Sequence, residues 1–201
     1  MKVSTFTNGV IFQEKLPQIL KSPLASVNIS LDATNPIDYE KMHGCSKDVF
    51  YNVLENITEL IDKRKRVNEQ IKVKVSYTCT KRNYKKIPDM IHLGDELGVD
   101  EVNLGNLISF DLPGFSKEQC LFDDDTDLLD VLESIEVPRA DLRVQMPKLL
   151  KHGIAERGCW MPFKTLTIDG DGHYYVCCQM TLNEGFSNIL DNGDVWNSDV
   201  F

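Results

Sequence analysis

The chain has 201 residues, of which 42% are hydrophobic and 26% charged, as is ordinary for a soluble globular protein of one or two domains. Its formal net charge of −9 argues against generic binding to nucleic-acid phosphates. No apolar stretch approaches the roughly 20 residues of a membrane span and the N-terminus lacks a signal-peptide pattern, so we expect a cytoplasmic protein without a disulfide framework.

The first half of the chain alternates between strand and helix patterns. Strands are predicted at 3–7, 26–31, 71–78 and 101–107, and helices at 13–20, 47–64 and 84–97. Gly98 follows the third helix, where a glycine commonly ends a helix. Alternation of this kind is typical of parallel strands joined by right-handed crossovers, so the predicted fold class is α/β.

The predicted strands each have one apolar and one polar face. In the segment 27–32, apolar residues alternate with Asn28, Ser30 and Asp32, and the segment 73–80 shows the same alternation. A doubly wound sheet, covered by helices on both faces, would have nearly continuous apolar strands. The polar face indicates either a partial barrel with a polar interior or a sheet with one face in solvent. We predict the partial barrel.

The regular pattern ends after residue 107. An acidic loop at 123–125 precedes a short helix predicted at 126–135, which we expect Thr126 to cap. Residues 137–158 are interpreted as a connector to the cysteine-containing segment that follows. Three cysteines, Cys45, Cys79 and Cys120, stand alone in the sequence, and we interpret them as small buried hydrophobic residues.

The remaining three cysteines are grouped around a predicted hairpin. Short strands at 166–168 and 173–176 flank a Gly-Asp-Gly turn, and this hairpin would bring Cys159 and Cys177 together. Thiolates gathered in this way are the ligands of soft metals and iron–sulfur clusters. Because side chains alternate along a strand, Cys178 would face away from Cys177, so a structural role is favoured for it.

Short motifs recur in a definite order along the chain. They are Thr7-Asn8-Gly9, Asn28–Ala33, Glu40–Gly44, Asp48–Leu60 and Asn83, followed by Cys159, Gly172 and Cys177 with twelve and four intervening residues, then Asn188-Ile189 and Val195–Ser198. In this order they resemble the radical S-adenosylmethionine (radical SAM) enzymes that carry a C-terminal auxiliary-cluster extension of the SPASM or twitch type.

The resemblance implies a domain organisation. Residues 1–136 would form the later part of a radical SAM (β/α) barrel, 137–158 a connector, and 159–201 the N-terminal part of the auxiliary-cluster domain. The family holds its catalytic cluster with a CxxxCxxC motif, and no such spacing occurs among the six cysteines. We therefore expect an internal fragment of a longer enzyme, whose first two strand–helix units precede Met1 and which is inactive alone.

The resemblance also implies an activity. Members are oxidoreductases that cleave S-adenosylmethionine at a [4Fe–4S] cluster to give a 5′-deoxyadenosyl radical, which abstracts hydrogen from a peptide or small-molecule substrate. Ser30 and Asp32, and then Asn8 and Thr78, are the candidate contacts to S-adenosylmethionine. Cys159 and Cys177 are the candidate ligands of an auxiliary [4Fe–4S] cluster.

The same resemblance implies partners, and each assignment has an alternative. We expect an electron donor such as a flavodoxin or ferredoxin, and neither a nucleic acid nor a membrane as partner. For each of the four polar residues the alternative is a satisfied polar group near a strand end. For the whole chain it is a non-catalytic module that binds zinc or an iron–sulfur cluster on a degenerate barrel. A metal-free barrel protein with buried cysteines has no motif in its favour.

Overall fold

The computed structural model describes residues 2–109, 116–152, 164–175 and 188–191. The chain divides into two units, Met1–His152 and Gly153–Phe201, which are described separately.

The first unit is built on a five-stranded parallel sheet whose strands follow one another in chain order. The strands are β1 (Ser4–Thr7), β2 (Ser26–Ser30), β3 (Lys72–Cys79), β4 (Glu101–Asn106) and β5 (Arg143–Gln145). The helices are α1 (Phe12–Lys21), α2 (Pro36–His43), α3 (Lys47–Val67), α4 (Ile87–Leu97) and α5 (Thr126–Glu133), with 3₁₀ turns at Tyr84–Lys86 and Lys117–Gln119.

This architecture confirms the predicted α/β class, and the four predicted strands and four predicted helices are all present. Five consecutive parallel strands with intervening helices are consistent with part of a (β/α) barrel. The apolar face of the sheet shares one core with the helices, in which Val27, Val73 and Val102 are fully buried beside Val53 and Ile57 of α3. The opposite face carries the polar residues of the strands, as the alternation predicted.

One glycine sets the distance between a helix and the sheet. A Cβ atom at Gly94 of α4 would lie 2.3 Å from the Cγ2 atom of Val102 in β4. Even an alanine would therefore overlap the sheet, and only glycine lets α4 pack this closely.

Two elements were absent from the strand and helix predictions. Helix α2 has little amphipathic character, but Asn35 caps it by accepting from the N–H groups of Ile37 (3.1 Å) and Asp38 (3.0 Å). It ends at Gly44, whose φ of 64° is left-handed, at the last residue of the Glu40–Gly44 motif. Strand β5 lies within the segment predicted as a connector and pairs with β4 over three residues.

One predicted cap is wrong. Helix α5 is capped by Asp125, whose side chain accepts from the N–H of Leu128 at 3.2 Å, and Thr126 is the first helical residue. Both residues are good N-caps by type, and the backbone of Asp125 is the one that remains extended.

The described part of the second unit is a short antiparallel hairpin. Strand β6 (Thr167–Ile168) pairs with β7 (Tyr174–Tyr175), as predicted around the Gly-Asp-Gly turn. An isolated bridge joins His173 to Asn188. Gly172, at φ 90°, lies against Asn188, where a Cβ atom would approach the side-chain nitrogen to 2.8 Å.

Candidate functional site

The four candidate contacts to S-adenosylmethionine lie at the carboxyl ends of three neighbouring strands. Asn8 follows β1, Ser30 ends β2 with Asp32 two residues beyond, and Thr78 is the penultimate residue of β3. In parallel α/β sheets, ligands bind at this edge. The structure therefore places all four residues at the edge where a ligand is expected.

The side chain of Asp32 is in direct contact with the backbone of Thr78. A carboxylate oxygen of Asp32 accepts a hydrogen bond from the N–H of Thr78 at 2.7 Å. Asp32 adopts φ 52°, the one left-handed conformation of a non-glycine residue among those described, which aspartate tolerates better than most residues. With one oxygen Asp32 holds together the ends of β2 and β3, which is the structural alternative considered for it above.

Thr78 is also held by the turn that follows β3. The side-chain amide of Asn83 donates to the carbonyl of Thr78 at 2.9 Å, and its oxygen accepts from the N–H of Thr80 at 2.7 Å. The backbone of Thr78 is thus fixed on both sides. Its hydroxyl makes no hydrogen bond within the parts of the chain that the structure describes.

Ser30 belongs to a row of uncharged polar residues that crosses four strands. It lies opposite Ser76 in β3, Ser76 lies opposite Asn103 in β4, and Asn103 lies opposite Gln145 in β5. We call these four residues the polar row. Within residues 2–109, 116–152 and the described hairpin, none of the four side chains has a hydrogen-bond partner. The polar row therefore offers unpaired donors and acceptors on one face of the sheet.

The next row towards the amino ends is charged and already paired. Lys74 lies 3.0 Å and Arg143 3.8 Å from the same carboxylate oxygen of the buried Glu101. Asn28 continues this row in β2, opposite Lys74. Asn28 is only 5% exposed, and its side-chain oxygen has no partner in the described structure. Both cations of this row share one carboxylate.

Sequence reasoning identified only Ser30 of the polar row. Ser76 had been placed on the polar face of its strand, but neither it nor Asn103 or Gln145 was assigned to the site. The missing information is the register, which sets residues from four strands opposite one another although they span positions 30 to 145. The local signal was an alternation of polar and apolar residues, and it does not specify register.

Asn8 occupies an exposed turn with its own hydrogen bonds. Its side-chain oxygen accepts from the N–H of Val10 at 3.2 Å, and the hydroxyl of Thr7 accepts from the N–H of Gly9 at 3.1 Å. Asn56 of α3, which sequence reasoning did not single out, donates its side-chain amide to the carbonyls of Gly9 (2.8 Å) and Val10 (3.3 Å). Asn56 is buried, so this contact ties the turn to the core.

The isolated cysteines have the environments that the sequence predicted. Cys79 and Cys120 are fully buried, and Cys45 is partly buried. Burial, together with the charge of Asp32, raises the pKa of Cys79 to about 12, so this thiol stays protonated at neutral pH and is unsuited to metal binding. Burial also raises the pKa of Cys120, whose thiol lies 3.2 Å from the carbonyl of Leu107.

The predicted cluster ligands Cys159 and Cys177, and with them Cys178, lie outside the described residues. The hairpin between them has a well-connected turn: one oxygen of Asp169 accepts from the N–H groups of Asp171 (3.0 Å) and His173 (2.9 Å). The other oxygen accepts from the Tyr175 hydroxyl at 2.9 Å. Ligand atoms of Asp169, Asp171 and His173 lie within 4.8 Å of one another, but both oxygens of Asp169 already stabilise the turn.

Comparisons with known proteins were made by sequence and by structure. No protein-family model matches the chain. It is similar to a probable GTP 3′,8-cyclase of Sulfolobus acidocaldarius, with 30% identity over 103 residues, which cover 51% of this chain and 31% of the relative. The corresponding protein of Saccharolobus solfataricus is 28% identical over 149 residues, covering 74% and 42%. The chain thus spans less than half the length of the curated relatives it matches.

Among solved structures, the fold is similar to that of Streptococcus suis SuiB. The TM-score is 0.66 with 18% identity, over 99% of this chain and 49% of SuiB. The structure of SuiB bound to S-adenosylmethionine gives the same TM-score, with coverage of 99% and 48%. At this identity the similarity concerns the fold.

These relatives confirm the resemblance to radical SAM enzymes that the sequence motifs indicated. Among the residues that the structure describes, no helix has the length and apolar character required to cross a membrane.

Proposed function

We propose that the chain forms part of an enzyme that uses S-adenosylmethionine to abstract hydrogen from a peptide or a small polar metabolite, with an auxiliary iron–sulfur cluster. The observation that carries this proposal is the polar row beside the strand ends that hold Asp32 and Thr78. The resemblance to radical SAM enzymes supplies the cofactor class, and the polar row supplies hydrogen-bonding groups that have no partner within the described chain.

The residues at the carboxyl edge are chemically suited to S-adenosylmethionine. The hydroxyls of Ser30 and Thr78 make no hydrogen bond within the described chain and can donate to or accept from ribose, adenine or amino-acid groups. Asp32 retains its second carboxylate oxygen for a hydroxyl or ammonium donor. When bound and reductively cleaved, S-adenosylmethionine supplies the radical that removes a substrate hydrogen, and the side chains named here would bind and orient it.

The charges on the sheet face favour a neutral substrate over a nucleotide. A triphosphate is normally bound by several unpaired cations, whereas Lys74 and the exposed Arg143 both lie against the carboxylate of Glu101, which leaves one positive charge in excess. The polar row consists of hydroxyls and carboxamides, which match the N–H and C=O groups of a peptide. The similar proteins represent both substrate classes: one structure of SuiB is bound to the precursor peptide SuiA, and the sequence relatives are named probable GTP 3′,8-cyclases.

We further propose that Cys159 and Cys177 ligate the auxiliary cluster, and that an electron donor such as a flavodoxin or ferredoxin reduces the enzyme. The proposed domain division remains 1–136, 137–158 and 159–201. Support comes from the spacing of Cys159, Gly172 and Cys177 and from the hairpin that the structure describes between the two cysteines. Cys178 is proposed to be structural.

The cluster proposal is tested by iron analysis of the protein encoded by the whole reading frame, reconstituted anaerobically. The variant Cys177→Ala should lose about four iron atoms per chain, the content of one [4Fe–4S] cluster. Cys120→Ala is the matched control, because that thiol is buried and protonated, and it should retain the wild-type iron content. Unchanged iron in Cys177→Ala would contradict the assignment. Tightly bound zinc without iron would favour the non-catalytic metal-binding module.

The substrate class is tested by calorimetric titration of the same protein with GTP. We expect no saturation below about 1 mM, because the two cations next to the polar row in the described chain, Lys74 and Arg143, both lie against Glu101. Micromolar binding of GTP would exclude the preference for a neutral substrate.

The isolated 201-residue chain is expected not to cleave S-adenosylmethionine, since its cysteines contain no CxxxCxxC spacing. Cleavage above background by this chain would refute that expectation.

A further inference from the structure

Two asparagines on α3 hold the two ends of α1 in the same way. The side-chain amide of Asn56 donates to the carbonyls of Gly9 (2.8 Å) and Val10 (3.3 Å), immediately before α1. The side-chain amide of Asn68, which ends α3, donates to the carbonyls of Leu20 and Ser22 at 3.3 Å each, where α1 ends. The two contacts have the same donor, the same type of acceptor and nearly the same separation along the chain.

The two contacts differ in where they lie relative to the sheet. Asn56 fixes the turn after the carboxyl end of β1, and Asn68 fixes the segment that leads to the amino end of β2. We propose that Asn56 is a positioning residue for ligand binding, which acts through the turn that carries Asn8, whereas Asn68 serves stability alone. This inference rests on the proposed function, because it requires a ligand at the carboxyl edge.

The turn depends on Asn56 because its backbone has little freedom to readjust. Gly9 is buried at φ 75°, and a Cβ atom there would lie 3.0 Å from a methyl of Ile29 and 3.2 Å from one of Val53. The carbonyl of Gly9 therefore sits in the core and requires a donor. The Asn8 side chain, in contrast, is exposed, and within the described chain it makes a single hydrogen bond, which it accepts from the N–H of Val10. The direction of Asn8 is consequently set by the turn beneath it.

The direct test measures the dissociation constant for S-adenosylmethionine in the reconstituted protein encoded by the whole reading frame. Asn56→Ala should weaken binding about tenfold, as expected for a buried carbonyl left without its donor and a displaced turn. Asn68→Ala should lower the melting temperature to a similar extent but change the affinity by less than about twofold. In the Asn8→Ala background, Asn56→Ala should cause no further loss of affinity, because both changes act on the same contact.

Equal losses of affinity in the Asn56 and Asn68 variants, or additive losses in the Asn8 and Asn56 double variant, would overturn the inference. Should Asn56→Ala fail to fold, Asn56→Ser retains one donor and should give an intermediate loss of affinity. Wild-type affinity in Asn56→Ser would then count against the proposal.

A second measurement does not depend on the cofactor. Hydrogen exchange at the Gly9 and Val10 amides should become about tenfold faster in Asn56→Ala and remain unchanged in Asn68→Ala. Unchanged exchange in Asn56→Ala would refute the positioning of the turn. If the wild-type protein does not bind S-adenosylmethionine, the proposed function fails, and the exchange result still decides whether Asn56 fixes the turn.

Discussion

The two ends of the parallel strands are held together by different chemistry. At the amino ends, the buried guanidinium of Arg64 bonds the carbonyl of Ile71 and the carboxylate of Asp100, which also accepts from the N–H of Val73 and contacts Lys72. At the carboxyl ends, short polar side chains such as Asp32 and Asn83 bond the backbone. The charged groups at the amino ends bond mainly to one another and to the backbone, whereas the single hydrogen bonds at the carboxyl ends leave neighbouring hydroxyls without partners in the described chain.

The buried ion-pair network therefore lies at the amino ends, and the polar side chains proposed to bind a ligand lie at the carboxyl ends. The same division holds in complete (β/α)₈ barrels, where the active site lies at the carboxyl face. In this chain the two ends differ in their individual hydrogen bonds. Side chains fix the backbone at both ends, but at the carboxyl ends the hydroxyls of Ser30 and Thr78 have no partners in the described chain.

The largest expected effect comes from removing the buried cation at the amino ends. Arg64→Ala should lower the free energy of unfolding by about 3–5 kcal/mol, because it removes the buried guanidinium that bonds both the carboxylate of Asp100 and the carbonyl of Ile71. Lys72→Ala removes the exposed partner of the same carboxylate and should cost at most about 1 kcal/mol. Urea unfolding of both variants measures how much free energy of unfolding each substitution removes. Equal losses in the two variants would show that the amino-end network does not behave as a buried one.

A smaller effect is expected at the carboxyl ends. Asp32→Ala removes the acceptor for the N–H of Thr78 and places alanine in a left-handed conformation, at a cost of about 1–2 kcal/mol. Asp32→Asn keeps an oxygen acceptor and a residue that tolerates this conformation, and should lie within about 0.5 kcal/mol of wild type.

The same pair of variants separates the two roles of Asp32. If its charge contacts the cofactor, Asp32→Asn should bind S-adenosylmethionine more weakly at wild-type stability. Wild-type affinity in Asp32→Asn would restrict Asp32 to holding the strand ends.

The smallest expected effect is on stability in acid. Burial opposes ionisation of Asp100, but hydrogen bonds from Arg64 and Val73, with the charges of Arg64 and Lys72, outweigh it and keep its pKa below the ordinary value. The pKa of Asp100 is lower in the folded than in the unfolded protein, so its ionised form adds to the free energy of unfolding. This contribution is fully present above the unfolded pKa of about 3.9 and is lost as the pH falls through the folded pKa. Unfolding free energies at neutral pH and at about pH 3 should therefore differ more for wild type than for Asp100→Asn. A difference of the same size in both proteins would assign the acid sensitivity to other carboxyl groups.

The parts of the fold that were predictable are those encoded by local periodicity. Alternation around Val27 and Ile29 identified β2 and its polar face, and the amphipathic pattern of α3 identified that helix, because both patterns reflect burial of one side. Strand β5 could not be found in this way. It has three residues with one apolar position, Val144, and it is a strand because β4 provides its partner.

The candidate site was predictable only in part for a related reason. The motif resemblance led to Asn8, Ser30, Asp32 and Thr78 and to the family. It did not lead to Asn103 or Gln145, which join Ser30 only through register, nor to Asn56, whose partners are 46 and 47 residues away.

By itself, the sequence determined the α/β class, the faces of the strands, the hairpin around the Asp169–Gly172 turn and the resemblance to radical SAM enzymes. These depend on spacings within one element or one motif. Only the tertiary structure decided which strand residues lie opposite one another, that Asp32 turns back onto Thr78, and that the cations of the sheet face share Glu101. The reason is physical: register and ion pairing are set by contacts between segments far apart in the chain, and local periodicity carries no information about them.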